Sequence, residues 1–149
     1  RSWKGVIEKS GGVASNIGVH FFDILNWLFG PLDRLETHVS SPHTCSGILE
    51  LKRAEVHWFL STDIKYVPVN RLAQDQRTFR SITVDGNEVE FSDGFTDLHT
   101  EIYRRTLAGK GFRIDDTRNA IEIISHIRTA SISGVKLNSH PFLNRSSKD

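Results

Sequence analysis

Ser10-Gly11-Gly12-Val13-Ala14-Ser15-Asn16-Ile17-Gly18-Val19-His20-Phe21-Phe22-Asp23-Ile24-Leu25-Asn26-Trp27-Leu28-Phe29-Gly30-Pro31 is the stretch whose reading decides the fold. Val13, Ile17, Phe21, Ile24, Leu25 and Leu28 recur within it at three- and four-residue spacing, the period of one face of an α-helix. The spacing predicts a helix of about four and a half turns. It stops at Phe29-Gly30-Pro31, because glycine takes the left-handed position after a last turn and proline cannot continue the hydrogen-bond ladder. Ser10 or a glycine amide is expected at its start.

Working outward, the period changes. Leu35 to Ser40 and Ala54 to Ser61 alternate by two, with Gly47 to Leu51 between them and Lys52-Arg53 as a tight turn, so antiparallel strands are expected. Phe79 to Val84, then Asp85-Gly86, then Asn87 to Phe91 predicts a hairpin, since Asp-Gly supplies the positive φ angles of a type I′ turn. Between the two sheet regions, Asp63 to Gln76 holds Pro68 and a polar run and reads as a loop or lid. Helical spacing returns from Asp97 to Ala108, with Leu98, Ile102 and Leu107, ending at Gly109-Lys110-Gly111. It returns again from Asp116 to Ala130, with Ala120, Ile123, Ile124 and Ile127 behind an acidic Asp115-Asp116 pair. The order is helix, strands, helices, which predicts an α+β fold: a predominantly antiparallel sheet with helices packed on one face. One domain over residues 1–143 is expected, with 144–149 as a frayed tail.

Composition bounds the partners. With 149 residues, 38% apolar and 25% charged, the chain suits one globular domain and excludes a fibre or a disordered tail. Nineteen basic against eighteen acidic side chains leave a formal charge of +1, so nothing recommends nucleic acid or an anionic membrane, and a small molecule or another protein is the expected partner. Cys45 stands alone and no apolar run approaches the roughly 18 residues that span a bilayer, which makes the cytoplasm the default compartment. There is no methionine, even at position 1, and the chain opens on Arg1-Ser2-Trp3-Lys4-Gly5. A segment of a longer protein is therefore expected, with any chemistry shared with the remainder only half visible.

Beside the apolar face of the first helix lie Asn16, His20, Asp23 and Trp27, at i, i+4, i+7 and i+11, so their side chains form a second stripe. Two readings are open. His20 and Asp23 form a hydrogen-bonded pair at the edge of the core, or the stripe lines a cleft in which Asn16 holds a substrate hydroxyl and His20 exchanges its proton. Metal chemistry has less support: His20 with Asp23 lacks the His-Glu-x-x-His arrangement, and His38, His43 and His57 show no ligand spacing. His38 and His57 sit on the polar sides of strands, where a solvated sheet face explains them. Cys45 has no assigned base and no Gly-x-Ser-x-Gly elbow exists. Gly109-Lys110-Gly111 is too short for a P-loop and Gly11-Gly12 lacks the third glycine of a dinucleotide fingerprint, so no NAD site is visible in this chain.

The run from Ser10 to Gly30 resembles the G-G-x-x-x-D/N-x-G-x-H-x-x-D-x-x-x-x-L-x-G signature that opens the C-terminal domain of the glucose-fructose oxidoreductase, inositol dehydrogenase and rhizopine-catabolism family. Asp97 to Phe112, followed by Asp115 to Arg128, resembles that family's closing helices. Ser2-Trp3-Lys4-Gly5 and Arg80 to Gly86 are similar to one branch, the UDP-N-acetylglucosaminuronate 3-dehydrogenases of surface-polysaccharide (lipopolysaccharide and O-antigen) synthesis. The resemblance implies a partner Rossmann domain that binds NAD or NADP and carries a lysine in a Glu-Lys-Pro motif; this chain would be the half that supplies the substrate wall and the oligomer interface.

Residue by residue, the resemblance makes His20 the general base. Asn16 stands where many members have aspartate and orients the sugar, since an amide cannot take the proton. Asp23 joins the substrate-binding group, and Lys4 either meets an anionic uronate or diphosphate or is a solvated surface lysine. The implied reaction removes hydride from C3 of a UDP-linked amino-sugar uronic acid to NAD. The implied assembly is a homodimer or homotetramer through the sheet face. Two alternatives remain: a non-catalytic oligomerisation domain of the same fold, and a metal-assisted hydrolase built on His20 and Asp23.

Overall fold

The structure is a computed structural model that describes residues 7–93 and 97–145. In chain order its elements are α1 (Ile7–Ser10), a π-helical turn (Ala14–Gly18) leading into α2 (Val19–Phe29), β1 (Leu32–Ser40), β2 (Thr44–Leu51), β3 (Ala54–Ser61), a 3-10 turn (Ile64–Tyr66), α3 (Val69–Leu72), β4 (Ser81–Val84), β5 (Asn87–Glu90), α4 (Leu98–Leu107), α5 (Ile114–Thr129) and α6 (Pro141–Arg145). The described residues form two compact units, one of residues 7–62 and 114–145, the other of residues 63–93 and 97–113.

In the first unit β1, β2 and β3 form an antiparallel meander with β2 in the centre. Helices α2 and α5 pack on one face, so the expected α+β class is found. Phe22 and Leu25 of α2 meet Leu49 and Leu51 of β2, Trp58 of β3, and Ile123, Ile124 and Ile127 of α5 in one cluster. The rings of Phe22 and Trp58 sit edge to face at 5.3 Å, the arrangement that ring quadrupoles favour. The four residues expected as the inner face of α5, Ala120, Ile123, Ile124 and Ile127, are all buried. Gly47 allows the tight centre of the sheet: a Cβ there would lie 2.0 Å from the backbone oxygen of Glu36, beside the bulge between Thr37 and Val39.

The first helix departs from its expected face. Its buried residues are Val13, Ala14, Gly18, Phe22 and Leu25, whereas Ile17, Phe21 and Ile24 are half-buried and Leu28 is exposed. A π turn closes over five residues and so rotates everything after it relative to a uniform α-helix. Gly18 then fits against β3, since a Cβ there would come within 2.9 Å of Leu60. At its far end the helix is fastened to the β2–β3 turn: Gly30 turns the chain at φ +90°, and Arg53 donates from Nη2 to the Leu28 carbonyl at 2.6 Å, a cation at a helix C-terminus.

The other sheet face is not solvated as expected. Residues 131–140 cross it, held by Ser133 N to Thr37 O at 2.9 Å and by His57 Nδ1 donating to the Asn138 carbonyl at 2.8 Å. His38 is consequently 1% exposed rather than facing solvent, while His57 stays exposed at the margin. Alternation along a strand separates its two sides but does not reveal a segment from ninety residues later lying over one of them.

The second unit contains the expected hairpin, β4 paired with β5 through Asp85 (φ +48°) and Gly86 (φ +81°), the two left-handed positions of the turn. The segment expected as a loop or lid is partly helical, with the 3-10 turn capped by the Asp63 carboxylate on Lys65 N at 3.1 Å and α3 beginning after Pro68. Arg71 of α3 pairs with Glu90 of β5 and donates to Gln76 at 2.7 Å, which ties the helical turn to the hairpin. Among the described residues, no helix is long and apolar enough to cross a membrane.

Candidate functional site

The candidate site starts from a backbone peculiarity. Gly11 and Gly12 are both left-handed, at φ +74° and +77°, a conformation cheap only for glycine. Three short side chains fasten this pair. Ser10 Oγ accepts from Gly12 N at 3.2 Å, Ser15 Oγ donates to the Gly11 carbonyl at 3.0 Å, and Asn16 Nδ2 donates to the Gly12 carbonyl at 3.1 Å. Ser10 is the last residue of α1 and bonds to the glycine pair, and no side chain caps the helical turn that follows, so the expected cap is not formed. Nothing in the sequence reading pointed to Ser15, and the serine and asparagine four residues after each glycine were the signal available.

Beyond the π turn, α2 advances 100° per residue, so Phe22, Leu25 and Phe29 share the side that meets the core while His20, Asp23 and Trp27 share the opposite one. His20 is exposed, Asp23 half-buried, and Trp27 81% exposed. Among the described residues His20 and Asp23 make no hydrogen bond or ion pair, so the core-edge pair is not formed. The stripe is an open polar row with a bare indole at its end. Lys4 lies outside the described residues.

Burial pushes the Cys45 thiol up to about 11, which keeps it protonated and unreactive at neutral pH. No group of three or more His, Cys, Asp or Glu residues is placed to hold a metal ion among the described residues. Two shallow hollows in the first unit, one of about 110 Å³ beside Arg34, Glu50 and Glu55 and one of about 100 Å³ beside Asn119 and His126, are far below the ~300 Å³ at which small-molecule pockets begin. Neither includes Asn16, His20 or Asp23.

On the opposite side of the sheet lies a second polar cluster. Glu36 accepts from Ser133 Oγ at 2.7 Å and pairs with Lys136, and these bonds hold its carboxyl down to about 2. Burial lowers the His38 imidazole below its ordinary value, against the pull of Glu36 at 3.6 Å. The cluster fastens residues 131–140 to β1 and shares no residue with the α2 row.

Residues 1–118 match the profile described as the oxidoreductase family, C-terminal alpha/beta domain. The WlbA (WbpB) dehydrogenase from Thermus thermophilus, solved with NAD and α-ketoglutarate, is 54% identical over 95% of this chain and 46% of its own, with a TM-score of 0.88. The same dehydrogenase solved with NAD and UDP-GlcNAcA is 52% identical over the same shares, again with a TM-score of 0.88. The chain therefore spans less than half the length of the solved structures it matches.

Proposed function

The chain belongs to the oxidoreductase family of glucose-fructose oxidoreductase, inositol dehydrogenase and the rhizopine-catabolism protein, as its C-terminal α/β domain, and we propose that it is the substrate-binding half of an NAD-dependent dehydrogenase acting at C3 of a UDP-linked N-acetylhexosaminuronic acid. The observation that carries the proposal is the pair His20 and Asp23 on the side of α2 turned away from the core, with the half-buried Asn16 in the π turn that leads into it. A solved relative with NAD and UDP-GlcNAcA, at 52% identity, supports the substrate class.

Among the described residues no glycine-rich turn joins a strand to a helix. NAD, held by residues outside this chain, supplies the hydride acceptor. His20 is assigned the hydroxyl proton: an imidazole on an exposed helix face is free to approach a ligand, and its ring nitrogen can accept a proton. Asn16 and Asp23, one turn to either side, are assigned the orientation of the sugar, and Lys4 the contact with its anionic groups. Copies of the protein associate in this proposal through the sheet face that carries Arg34, Glu50 and Glu55, as a homodimer or homotetramer.

The test is NAD reduction by the full-length protein carrying this sequence, supplied with UDP-N-acetylglucosaminuronate, with the product identified by mass as two hydrogens lighter. Formation of NADH with the uronate and little with the uncharged UDP-N-acetylglucosamine is expected. A protein that assembles stably yet reduces no NAD with any nucleotide-linked uronate is an interaction domain instead.

A further inference from the structure

The hydrogen bond between Asn16 and Gly12 fixes which end of the carboxamide faces outward. A backbone carbonyl oxygen only accepts, so the atom of Asn16 that lies 3.1 Å from Gly12 O is the amide nitrogen. The Gly12 carbonyl is itself held, because Gly12 N is bonded to Ser10 Oγ and the preceding carbonyl accepts from Ser15 Oγ. Oδ1 of Asn16 is therefore turned away from the helix start. Among the described residues it takes no hydrogen bond, and it is not one of the buried polar atoms left unpartnered. One turn before His20, the helix thus presents a bare acceptor whose orientation was set before any ligand arrives.

An acceptor cannot serve the reacting oxygen throughout an alcohol oxidation. In the reaction proposed above, the C–H bond breaks with its electron pair leaving as hydride to the nicotinamide, the O–H proton passes to His20, and the carbon–oxygen double bond forms. The single proton of the reacting hydroxyl is committed to His20, and the ketone that results carries only lone pairs, which Oδ1 would repel. We infer that Asn16 reads a group that remains a hydrogen-bond donor from start to finish, a hydroxyl or an acylamino N–H on a carbon next to the one oxidised. Asn16 is on this inference a specificity-determining residue, with Ser10, Gly12 and Ser15 positioning it. It rests on the proposed dehydrogenase reading and adds which part of the sugar the site inspects.

The experiment is a substrate-by-variant cycle on the full-length protein. UDP-N-acetylglucosaminuronate is compared with analogues that lack the C2 acetamido group or the C4 hydroxyl, in the wild type, in Asn16→Ala and in Asn16→Ser. Serine can still donate to the Gly12 carbonyl, as Ser15 does to Gly11, so it keeps the helix start intact while withdrawing the outward acceptor. For one analogue the wild type should lose roughly 10- to 100-fold in kcat/KM. Both variants should lose a similar factor on the parent sugar and nearly nothing further on that analogue. If the losses multiply for both analogues, Asn16 does not read a neighbouring donor and the inference is overturned while the dehydrogenase reading stands. If the wild type oxidises no nucleotide-linked uronate, the dehydrogenase reading fails and takes the inference with it.

Discussion

Ser139 Oγ lies 2.8 Å from Nδ1 of His38, a buried contact between residues 101 positions apart. Ser139 Oγ also accepts from Lys136 N at 2.8 Å, so one hydroxyl ties together both ends of a turn and the sheet beneath it. The imidazole tautomer that suits these neighbours carries its proton on Nε2, facing Glu36 Oε1 at 3.6 Å, too far for a hydrogen bond. A neutral histidine, His38, and an ionised carboxylate, Glu36, are thus among the groups that hold the segment 131–140.

That pairing predicts acid sensitivity in two stages. Burial depresses the folded pKa of His38 below 6.5, so its contribution to stability is complete above the unfolded value and is lost as pH falls from there. Glu36 is held at about 2 against an ordinary 4.5, so its contribution is present above 4.5 and lost between 4.5 and about 2. Melting temperature should therefore decline first below about pH 6.5 and again below about pH 4.5. His38→Gln should abolish the first decline and leave the second; an unaltered profile in that variant would show that His38 is not the titrating group.

Packing makes a sharper demand at Phe22, which is 1% exposed and set edge-on to Trp58. Phe22→Ala should cost about 3–5 kcal/mol by chemical denaturation, since it removes a ring from the centre of the cluster that joins α2, α5 and the sheet. Phe21→Ala, one residue earlier on the half-buried flank, should cost clearly less. Equal costs would mean that the π turn does not set the face of the helix.

Gly47→Ala tests the sheet itself. Its Cβ would lie 2.0 Å from the Glu36 backbone oxygen, and a strand cannot rotate away as a side chain can. A loss of about 1–3 kcal/mol or more is expected, with weakened protection of the β1–β2 amides in hydrogen exchange. Wild-type stability in Gly47→Ala would show that β1 and β2 sit further apart than the bulge implies.

Much of this was legible in the residues. The hairpin followed from Asp85-Gly86, and the inner face of α5 from the spacing of Ala120, Ile123, Ile124 and Ile127. These are local signals, each written within two turns of helix or one tight turn. What escaped was non-local or irregular. The π turn at Ala14–Gly18 moved the buried role from Phe21 to Phe22, because hydrophobic period assumes an even twist and aromatic neighbours leave the choice open. The covering of His38 by residues 131–140 had no counterpart in strand alternation. The Gly12 clamp on Asn16 was hidden because a side-chain bond to a carbonyl four residues back depends on the left-handed glycine pair, not on spacing alone.

Association is expected of the full-length protein. Arg34 and Glu50 pair at 3.2 Å on the sheet face that residues 131–140 leave partly open. Sedimentation at micromolar concentration should report a dimer or larger assembly, and Arg34→Glu should weaken it by placing like charges beside Glu50. A monomer at all concentrations would remove this face as an interface.

His20 carries the most consequential expectation. It sits exposed on α2, one turn after Asn16, with no partner among the described residues that a substitution would orphan. His20→Asn keeps some hydrogen-bonding capacity and removes the titratable ring. If His20 takes the hydroxyl proton, single-turnover hydride transfer in the full-length protein should fall by roughly 10²- to 10⁴-fold while the melting temperature stays within a degree or so of wild type. A structural histidine would give the opposite pattern, a lowered melting temperature with transfer per folded molecule unchanged, and that pattern would take His20 out of the chemistry.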